Sequence, residues 1–260
     1  MHSDTPAHDG SDLVRRIGER VFDFDRQVAV MAIVNRTRDS FYDRGRTFAL
    51  DRAVDAARSA LDQGADWIDI GAVPFSPRTE PVDAAEERAR VVPLVQEVRR
   101  HSDAVISVDT FRADVAAAAV AAGATAINDT SGLRDPEIAD VAAESGAALI
   151  VTHSLAAPRQ EWFQPTYEDV VDEVKAFLLS RAQLAVDRGV RPEQIIIDPG
   201  HDLNKNTVHS LELTRRLGEL AGHGFPLLAS VSNKDFIAEA LGLDKQQLLA
   251  GTTATLTVCM

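Results

Sequence analysis

Cysteine is nearly absent from this sequence: Cys259 is the only one among 260 residues. A lone thiol excludes an internal disulfide and is typical of a protein kept in a reducing cytoplasm. Long apolar runs are also missing, since none approaches the roughly 18 residues that a membrane helix needs. The first ten residues have no apolar core and do not resemble a signal peptide. We therefore predict a cytoplasmic protein without a membrane span.

Positive charge is scarce as well. Lysine and arginine together number 27 against 40 acidic residues, which gives a formal net charge of −13. Such a surface repels nucleic acids and anionic lipids, although a local basic pocket could still hold a small anion. With 45% hydrophobic and 26% charged residues, the composition is that of an ordinary globular domain. The sequence thus predicts no nucleic-acid partner.

Seven short, uniformly apolar segments recur along the chain. Such segments are typical of buried parallel strands rather than of alternating antiparallel ones. They cover residues 28–34, 67–70, 105–108, 124–127, 147–152, 195–197 and 226–229. The Ala-rich amphipathic stretches between them predict helices at residues 50–63, 83–100, 113–122, 136–144, 167–188 and 208–220.

This alternation predicts a parallel sheet with helices outside it. Seven strands favour an α/β barrel of the TIM (β/α)8 type over an open doubly wound sheet, and no G-x-G-x-x-G motif follows an early strand. We assign residues 1–19 to a flexible N-terminal tail and residues 20–260 to one barrel domain. A short hairpin at residues 20–27 is expected to lead into the first strand.

Polar side chains follow each predicted strand at its carboxyl end, where barrels of this type carry their active sites. They are Asn35, Asp69, Asp109, Asn128, Asp129, His153, Asp198, Ser232 and Lys234. Carboxylates accept paired hydrogen bonds from a flat N–C–NH2 edge, asparagine both donates and accepts, and lysine only donates. Asp109, Asn128, Asp198 and Lys234 therefore complement a flat heterocycle that has a donor edge and a carbonyl.

Each of these residues also has a structural interpretation. Asp109 could cap the helix that follows it, and Asn128 and Asp198 lie in sequences that suit turns. His153 suits a buried structural role. Lys234 at a helix start opposes the helix dipole, which favours a functional role. Because these residues occupy the same end of successive strands, we interpret them together as a polar pocket.

Five motifs, taken in order, resemble those of one enzyme family. They read NRTRDSFYD at residues 35–43, GADWIDIG at 64–71, SVDTFRADVAAAAVAAGATAINDTSG at 107–132, DPGHDLNKNTVHSLELTRRL at 198–217 and SNKDFIAEALG at 232–242. Their order and spacing are similar to those of the dihydropteroate synthase family over residues 21–254. The first and last motifs look most similar to the divergent second paralogue of these synthases in actinobacteria.

The resemblance implies a transferase of folate biosynthesis, which condenses 6-hydroxymethyl-7,8-dihydropterin diphosphate with p-aminobenzoate and expels pyrophosphate. The pterin pocket of the family then falls on Asp109, Asn128, Asp198 and Lys234, and Asp198 and Lys234 take the catalytic roles. Asn35 corresponds to the magnesium-binding asparagine, so Mg2+ is the expected cofactor, and a homodimer is expected in the same way. Buried carboxylates would favour the pterin cation that develops as pyrophosphate leaves.

The half of the site that would hold p-aminobenzoate departs from the family pattern. The usual S-T-R-P-G is PFSPR at residues 74–78, so Ser76 stands at the arginine position and Arg78 lies two positions further on. A displaced guanidinium does not restore a fixed fork. Asp235 replaces a serine that binds the substrate carboxylate, and two like charges repel each other by on the order of 1 kcal/mol. Alternatively, Asp235 turns outward and caps its own helix.

The eighth strand of the family, whose R-x-H motif binds the diphosphate, has no counterpart before Met260. We therefore expect a barrel truncated after strand seven, with weakened diphosphate binding and reduced stability. Two functions remain open: a synthase with impaired use of p-aminobenzoate, and a catalytically silent pterin-binding paralogue with a regulatory or protective role. A related pterin-dependent methyltransferase barrel fits the first and last motifs less well.

Overall fold

The computed structural model describes residues 13–37, 49–74, 79–160 and 165–260. Its strands are β1 (Val14–Ile17), β2 (Arg20–Asp23), β3 (Met31–Asn35), β4 (Trp67–Gly71), β5 (Val105–Asp109), β6 (Ala126–Asp129), β7 (Ala148–Thr152) and β8 (Ile195–Asp198). Its α-helices are α1 (Leu50–Asp62), α2 (Ala84–His101), α3 (Ala113–Ala121), α4 (Glu137–Ser145), α5 (Val170–Asp187), α6 (Thr207–Arg215), α7 (Asp235–Leu241) and α8 (Leu249–Cys259). From β3 to α6, strands and helices alternate as the sequence predicts.

Strands β3 to β8 form one parallel sheet in sequence order. The strand predicted at residues 226–229 is reduced to a single bridge between Leu227 and Ile197. The Ile197 N–H donates to Pro226 O at 3.0 Å, and the Leu228 N–H donates to Ile197 O at 2.8 Å. Within the described part of the chain the sheet does not close on itself, and Ile33 on the edge strand β3 is 52% exposed. The fold is the parallel α/β barrel type expected from the sequence, with one open side.

The register of this sheet brings the polar strand ends into one row. Asn35 pairs with Gly71, Gly71 with Asp109, and Asp109 with Asn128. Neighbouring strands lie about 4.8 Å apart, and residues paired across a sheet project to the same face. The register therefore places these polar residues beside one another at the carboxyl edge, as the sequence predicts.

Two apolar layers hold the sheet. The larger one lies between the sheet and its helices and includes Ile70, Leu94, Ile127 and Leu178, all fully buried. Apolar burial of this kind contributes about 25 cal/mol per Å2 of surface removed from water. The second layer lies around the starts of the strands, where Trp67 forms one cluster with Phe22, Val105 and Ile150. This packing leaves the side toward the carboxyl ends of the strands for the polar side chains.

The N-terminal hairpin starts earlier than the sequence suggested. It is built from β1 and β2, which pair antiparallel from Val14–Asp23 to Ile17–Arg20, so residues 14–19 belong to the fold and not to the tail. The expected boundaries, a tail to residue 19 and a hairpin at residues 20–27, are corrected accordingly. Ile17 and Phe22 insert into the apolar layer around Trp67. This packing stabilises the hairpin, because an isolated two-stranded hairpin is only marginally stable in water.

Side-chain caps fix where several helices begin. Asp83 accepts the Glu86 N–H at the start of α2, Asp169 accepts two N–H groups at the start of α5, and Asn206 accepts the His209 N–H at the start of α6. Each cap satisfies backbone donors that a helix leaves free at its first turn. Among the described helices, none is long and apolar enough to span a membrane.

Candidate functional site

The centre of the polar row is a bond between Asp69 on β4 and Asn128 on β6. Both residues are buried. The Asn128 Nδ2 lies 3.3 Å from each carboxylate oxygen of Asp69, and the Ser107 hydroxyl also donates to Asp69. With its nitrogen held in this way, the Asn128 Oδ1 is buried and has no hydrogen-bond partner in the described ranges. A buried acceptor of this kind is costly unless a ligand or water satisfies it.

Burial and mutual repulsion raise the pKa values of the carboxyl groups around this amide. Burial raises the pKa of Asp69 to about 6, and the charge of Asp198 adds to the rise. Burial also raises the pKa of Asp109 well above its usual range, and Asp69 and Glu87 repel it further. Carboxylates held this close together stabilise a cation or a group rich in N–H donors.

Asp198 ends β8 and is fixed by the turn that follows it. Burial raises its pKa to about 6, although the Gly200 N–H, Lys234 and Lys205 each lower it. The Gly200 N–H donates to Asp198 Oδ1 at 2.7 Å. Gly200 itself has a φ of +66°, and a Cβ there would lie 2.3 Å from the carbonyl oxygen of His153. Only glycine fits this position, so the turn and the site are one feature rather than alternatives.

Lys234 supplies positive charge to the same side of the pocket. It stands at the N-cap of α7, and its charge lowers the pKa values of Asp198 and Asp202. The start of α7 is held by Asp202, whose Oδ2 accepts the N–H groups of Asp235 at 2.5 Å and Phe236 at 3.3 Å. A carboxylate at this end also suits the helix dipole. The loop after β8 therefore positions Lys234 as well as Asp198.

The structural roles considered for the other strand-end residues are seen for some of them and not for others. Asp109 caps no helix, because the first N–H of α3, that of Ala113, donates to Asp135 at 3.2 Å. Asp129 does serve a turn, since it accepts the N–H groups of Ser131 and Leu133. Asn128 and Asp129 therefore have different roles, one in the pocket and one in the loop behind it.

His153 takes the structural role that was the alternative for it. Its ring is buried, lies 4.7 Å from the ring of Phe177, and has its Nδ1 2.8 Å from the Lys205 Nζ. Burial, together with the Lys205 charge, lowers the pKa of His153 to about 2, so the ring is neutral at physiological pH. A neutral imidazole in contact with an ammonium accepts a hydrogen bond and does not act as an acid.

Asp235 turns away from the pocket. Its side chain is 62% exposed and pairs with Lys245 at 2.7 Å. The outward orientation is the one that the alternative interpretation described, but the cap on α7 comes from Asp202 and not from Asp235. Because Lys245 offsets its charge, Asp235 repels an incoming carboxylate less than a bare aspartate would.

The loop after β4, which would form the p-aminobenzoate side, is held from across the barrel. Ser76 and Arg78 lie at residues 75–78, outside the described residues. Arg159, in the loop after β7, donates to Pro74 O at 2.7 Å, to Thr79 O at 2.6 Å and to the Thr79 hydroxyl at 3.0 Å. Strands β5 and β6 lie between β4 and β7, so this guanidinium joins loops on well-separated parts of the rim.

Asn35, the expected magnesium residue, ends β3 beside the row of acids. Its Oδ1 lies so close to Gly71 that a Cβ on Gly71 would be 2.4 Å away. An amide oxygen is a hard donor of the type that Mg2+ accepts, and Mg2+ in proteins commonly takes few protein ligands and several oxygens from phosphate and water. Over the described ranges, no group of three or more acidic, histidine or cysteine side chains is arranged for a metal. The residues present therefore fit a metal shared with a phosphate ligand better than a protein-only metal site.

Two residues of this site were not singled out from the sequence, and a third was singled out without a ligand-binding role. Asp69 was interpreted as part of the polar pocket but not as a pterin residue, and its sequence signal is a lone acid inside the fully buried strand WIDIG. Glu87 on α2 is fully buried, and it accepts the Thr110 hydroxyl at 2.6 Å and an Arg112 N–H. Lys205 is buried beside His153. The last two are ordinary charged residues in their local sequences, so only the fold reveals their contacts.

Comparisons with known proteins identify the family of this chain. A family model described as "Pterin binding enzyme" matches residues 31–260. A relative named "Inactive dihydropteroate synthase 2", from Mycobacterium leprae (strain TN), is 47% identical over 88% of this chain and 80% of its own length. A "Dihydropteroate synthase" from Synechocystis sp. (strain PCC 6803) is 39% identical over 92% of this chain and 83% of its own.

A solved structure gives the same result for the fold. Dihydropteroate synthase from Xanthomonas albilineans, in complex with 7,8-dihydropteroate, superposes with a TM-score of 0.83 at 35% identity, over 95% of this chain and 88% of that one. Taken with the family model and the relatives, it shows that this chain belongs to the dihydropteroate synthase family of pterin-binding enzymes.

Proposed function

We propose that this protein binds a pterin at the row formed by Asp109, Asn128, Asp198 and Lys234. The observation that carries the proposal is the buried, unsatisfied Oδ1 of Asn128, which lies among carboxyl groups of raised pKa. A pterin offers a flat edge of N–H donors for the carboxylates and for this oxygen, and a carbonyl for a lysine. The bound dihydropteroate in the Xanthomonas albilineans relative supports the same ligand class.

The proposed chemistry is that of a synthase with impaired use of p-aminobenzoate. The amine nitrogen forms a bond to the methylene carbon of the pterin, the carbon–oxygen bond to the diphosphate breaks, and the amine then loses a proton. Asp198 and Lys234 are the residues proposed to act on the pterin ring. An ionised Asp198 would stabilise positive charge that develops on the ring, and Lys234 would donate to its carbonyl. Asn35 is the proposed ligand for Mg2+, which when bound would neutralise charge on the leaving diphosphate.

The direct test is calorimetric titration with 6-hydroxymethyl-7,8-dihydropterin. We expect saturable binding at one site, weakened roughly tenfold or more in Asp198→Asn, since a charge-assisted pair is replaced by a neutral one. Asp140→Asn is the matched control, because Asp140 pairs with Arg188 on the surface. Absence of binding to the wild-type protein, or equal affinity in Asp198→Asn, would contradict the proposal.

The second candidate function is pterin binding without turnover. The name "Inactive dihydropteroate synthase 2" carried by the Mycobacterium leprae relative favours it, as does the altered PFSPR loop. Steady-state formation of 7,8-dihydropteroate from both substrates separates the two functions. Turnover at the rate of an ordinary family member would reject the silent paralogue, whereas pterin binding with no product would reject the synthase.

A homodimer is proposed as the assembled form. Val208 and Leu211 on α6, and Leu249 and Val258 on α8, are exposed apolar side chains on neighbouring helices. Exposed apolar area of this kind commonly marks a protein interface. Sedimentation velocity on the wild-type chain and on Val208→Asp tests it, and an unchanged monomer in both would reject it.

The free thiol of Cys259 supports the cytoplasmic location expected from the sequence.

A further inference from the structure

Lys205 is a second lysine close to Asp198, and it is only 6% exposed. Its Nζ makes three contacts, to His153 Nδ1 at 2.8 Å, to Gly200 O at 2.9 Å and to Leu203 O at 3.0 Å. An ammonium group has three N–H donors, whereas a neutral amine has two. The three acceptors therefore match the charged form of the side chain.

These contacts lead directly to Asp198. Gly200, whose carbonyl accepts from Lys205, gives its N–H to the Asp198 carboxylate at 2.7 Å. His153, whose ring accepts from Lys205, gives its backbone N–H to the Asp198 carbonyl at 2.9 Å. A single ammonium thus holds both backbone segments that touch Asp198.

The next residue back along the chain extends the same clamp. Asn204, with a φ of +53°, accepts the N–H groups of Leu155 at 2.7 Å and Ala156 at 3.0 Å through its Oδ1. Tyr167 donates its hydroxyl to the Asn204 carbonyl at 2.8 Å. Asn204 and Lys205 together fasten the loop after β7 to the loop after β8, so the position of Asp198 depends on both loops.

The charged groups around Lys205 shift its pKa in both directions. Burial lowers its pKa to about 7, Asp198 and Asp202 raise it, and Lys234 lowers it. Three histidines also lie close enough to be affected by the Lys205 charge. Burial, together with that charge, lowers the pKa of His153 to about 2 and of His201 to about 3, and it lowers the pKa of His209 as well. Asp198 and Asp202 are therefore the groups with which the Lys205 charge pairs.

We propose that Lys205 is a positioning residue of the pterin site, which holds the turn at residues 200–203 and, as an ammonium, supplies a positive charge that favours the ionised form of Asp198. This inference deepens the proposed function and rests on it for its biological meaning. An ionised Asp198 accepts the donor edge of a heterocycle, whereas a protonated one does not present both oxygens as acceptors. Lys234 lowers the pKa of Asp198 from the start of α7, whereas Lys205 does so from a buried position.

The first test needs no ligand. The side-chain carboxyl 13C signal of Asp198, assigned from its loss in Asp198→Asn, is titrated in the wild-type protein, in Lys205→Met and in Lys175→Met. Lys175 is a half-buried lysine on α5 that pairs with the exposed Asp172, and it serves as the matched control. We expect the Asp198 pKa to rise by about one unit or more in Lys205→Met, the shift typical of losing a nearby opposite charge, and not to change in the control. An unchanged Asp198 titration in a folded Lys205→Met would overturn the inference.

The second test uses 6-hydroxymethyl-7,8-dihydropterin. We expect its affinity for the wild-type protein to decrease as the pH drops below the Asp198 pKa. In Lys205→Met we expect this decrease to begin at higher pH. If Lys205 had only a structural role, its replacement would lower the melting temperature and leave the pH dependence of the affinity unchanged. The carboxyl titration needs no ligand. A finding that the protein binds no pterin would therefore contradict the proposed function but not the role of Lys205 toward Asp198.

A measurement on the wild-type chain covers the case in which Lys205→Met does not fold. The 15N signal of the Lys205 Nζ reports whether the group is an ammonium over the pH range in which Asp198 ionises. A charged Lys205 in that range supports the inference, and a neutral amine throughout it overturns the inference without any variant.

Discussion

The side-chain amide of Asn128 donates to both carboxylate oxygens of Asp69, at 3.3 Å each. This contact joins β4 to β6 across the intervening strand β5 and decides which end of the Asn128 amide faces the ligand. Its acceptor oxygen is left free toward the pocket as a consequence. An acid outside the expected set of pterin residues therefore controls the orientation of one of them.

Removing this acceptor is expected to weaken pterin binding without unfolding the protein. In Asp69→Asn the new amide cannot accept with both of its atoms, so the Asn128 amide loses its fixed orientation. We expect the affinity for 6-hydroxymethyl-7,8-dihydropterin to fall by about tenfold, the value of one well-placed hydrogen bond. Calorimetric titration beside Asp140→Asn checks this, and an affinity equal to that of the wild-type protein would mean that Asp69 does not orient Asn128.

Asp198 is expected to cost stability at neutral pH. Its pKa rises on folding from 3.8 to about 6, so the folded state holds the proton more tightly than the unfolded state does. The free energy of unfolding therefore falls as pH rises through this interval, by about 2–3 kcal/mol for a shift of this size. Asp198→Asn carries no titrating group there, so its stability relative to the wild-type protein should increase over the same interval.

Urea unfolding of both proteins at several pH values from 4 to 8 measures this difference. A difference between the two proteins that stays constant with pH would show that Asp198 is not shifted upward. We also expect that Asp198→Asn gains stability near neutral pH and loses pterin affinity, because both effects come from removing the same carboxylate.

Gly200→Ala is expected to be among the most damaging substitutions in the loop after β8. A Cβ at Gly200 meets the backbone oxygen of His153 at 2.3 Å, in addition to its left-handed φ of +66°. We expect a loss of about 2–4 kcal/mol of stability, from strain together with a displaced backbone. Gly222→Ala isolates the effect of φ, since its φ is +78° and a Cβ there meets nothing within 4 Å.

The control should lose only about 1–2 kcal/mol, the usual cost of a left-handed alanine. Thermal unfolding of the two variants compares them directly. Equal losses would mean that the approach of Gly200 to His153 imposes no demand beyond the backbone angle.

Arg159 is expected to couple the loops after β4 and β7. In Arg159→Ala the three bonds to Pro74 and Thr79 disappear, so we expect amide hydrogen exchange to speed up at residues 79–82 and 155–160 by roughly tenfold. Exchange within β6 should not change. Arg88→Ala is the control, because Arg88 pairs with Asp114 on the outer helices. No change in exchange at residues 79–82 would show that Arg159 does not hold that loop.

Restoring the family residues is expected to improve the use of p-aminobenzoate. Ser76→Arg returns a guanidinium to the loop after β4, and Asp235→Ser removes a carboxylate together with its ion pair to Lys245. We expect the double variant to bind p-aminobenzoate more tightly than the wild-type protein by about fivefold, in the presence of pterin and at low salt. Each single variant serves as a control for the other. No gain in the double variant would show that charge repulsion is not what limits this half of the site.

The order of strands and helices was predictable from the sequence, and so was the position of most of the expected pocket residues at one rim of the sheet. Apolar segments of strand length, spaced by amphipathic stretches, leave few other arrangements. Asp109 and Asp198 end their strands and Asn128 lies one residue before the end of β6, and parallel strands bring their carboxyl ends to one rim. The exceptions were the hairpin at β1 and the reduced strand at residues 226–229. Short strands of this kind depend on packing and pairing partners rather than on local sequence.

By itself, then, the sequence determined which side chains reach the rim, because strand periodicity and chain order fix that outcome. Only the tertiary structure decided what each side chain does there. It turned Asp235 toward Lys245, oriented Asn128 against Asp69, and buried Lys205 between two loops. These relationships join residues from 10 to 59 positions apart in the chain, or depend on a turn closing around a charge. No local pattern encodes them, since hydrogen bonds and desolvation act through space.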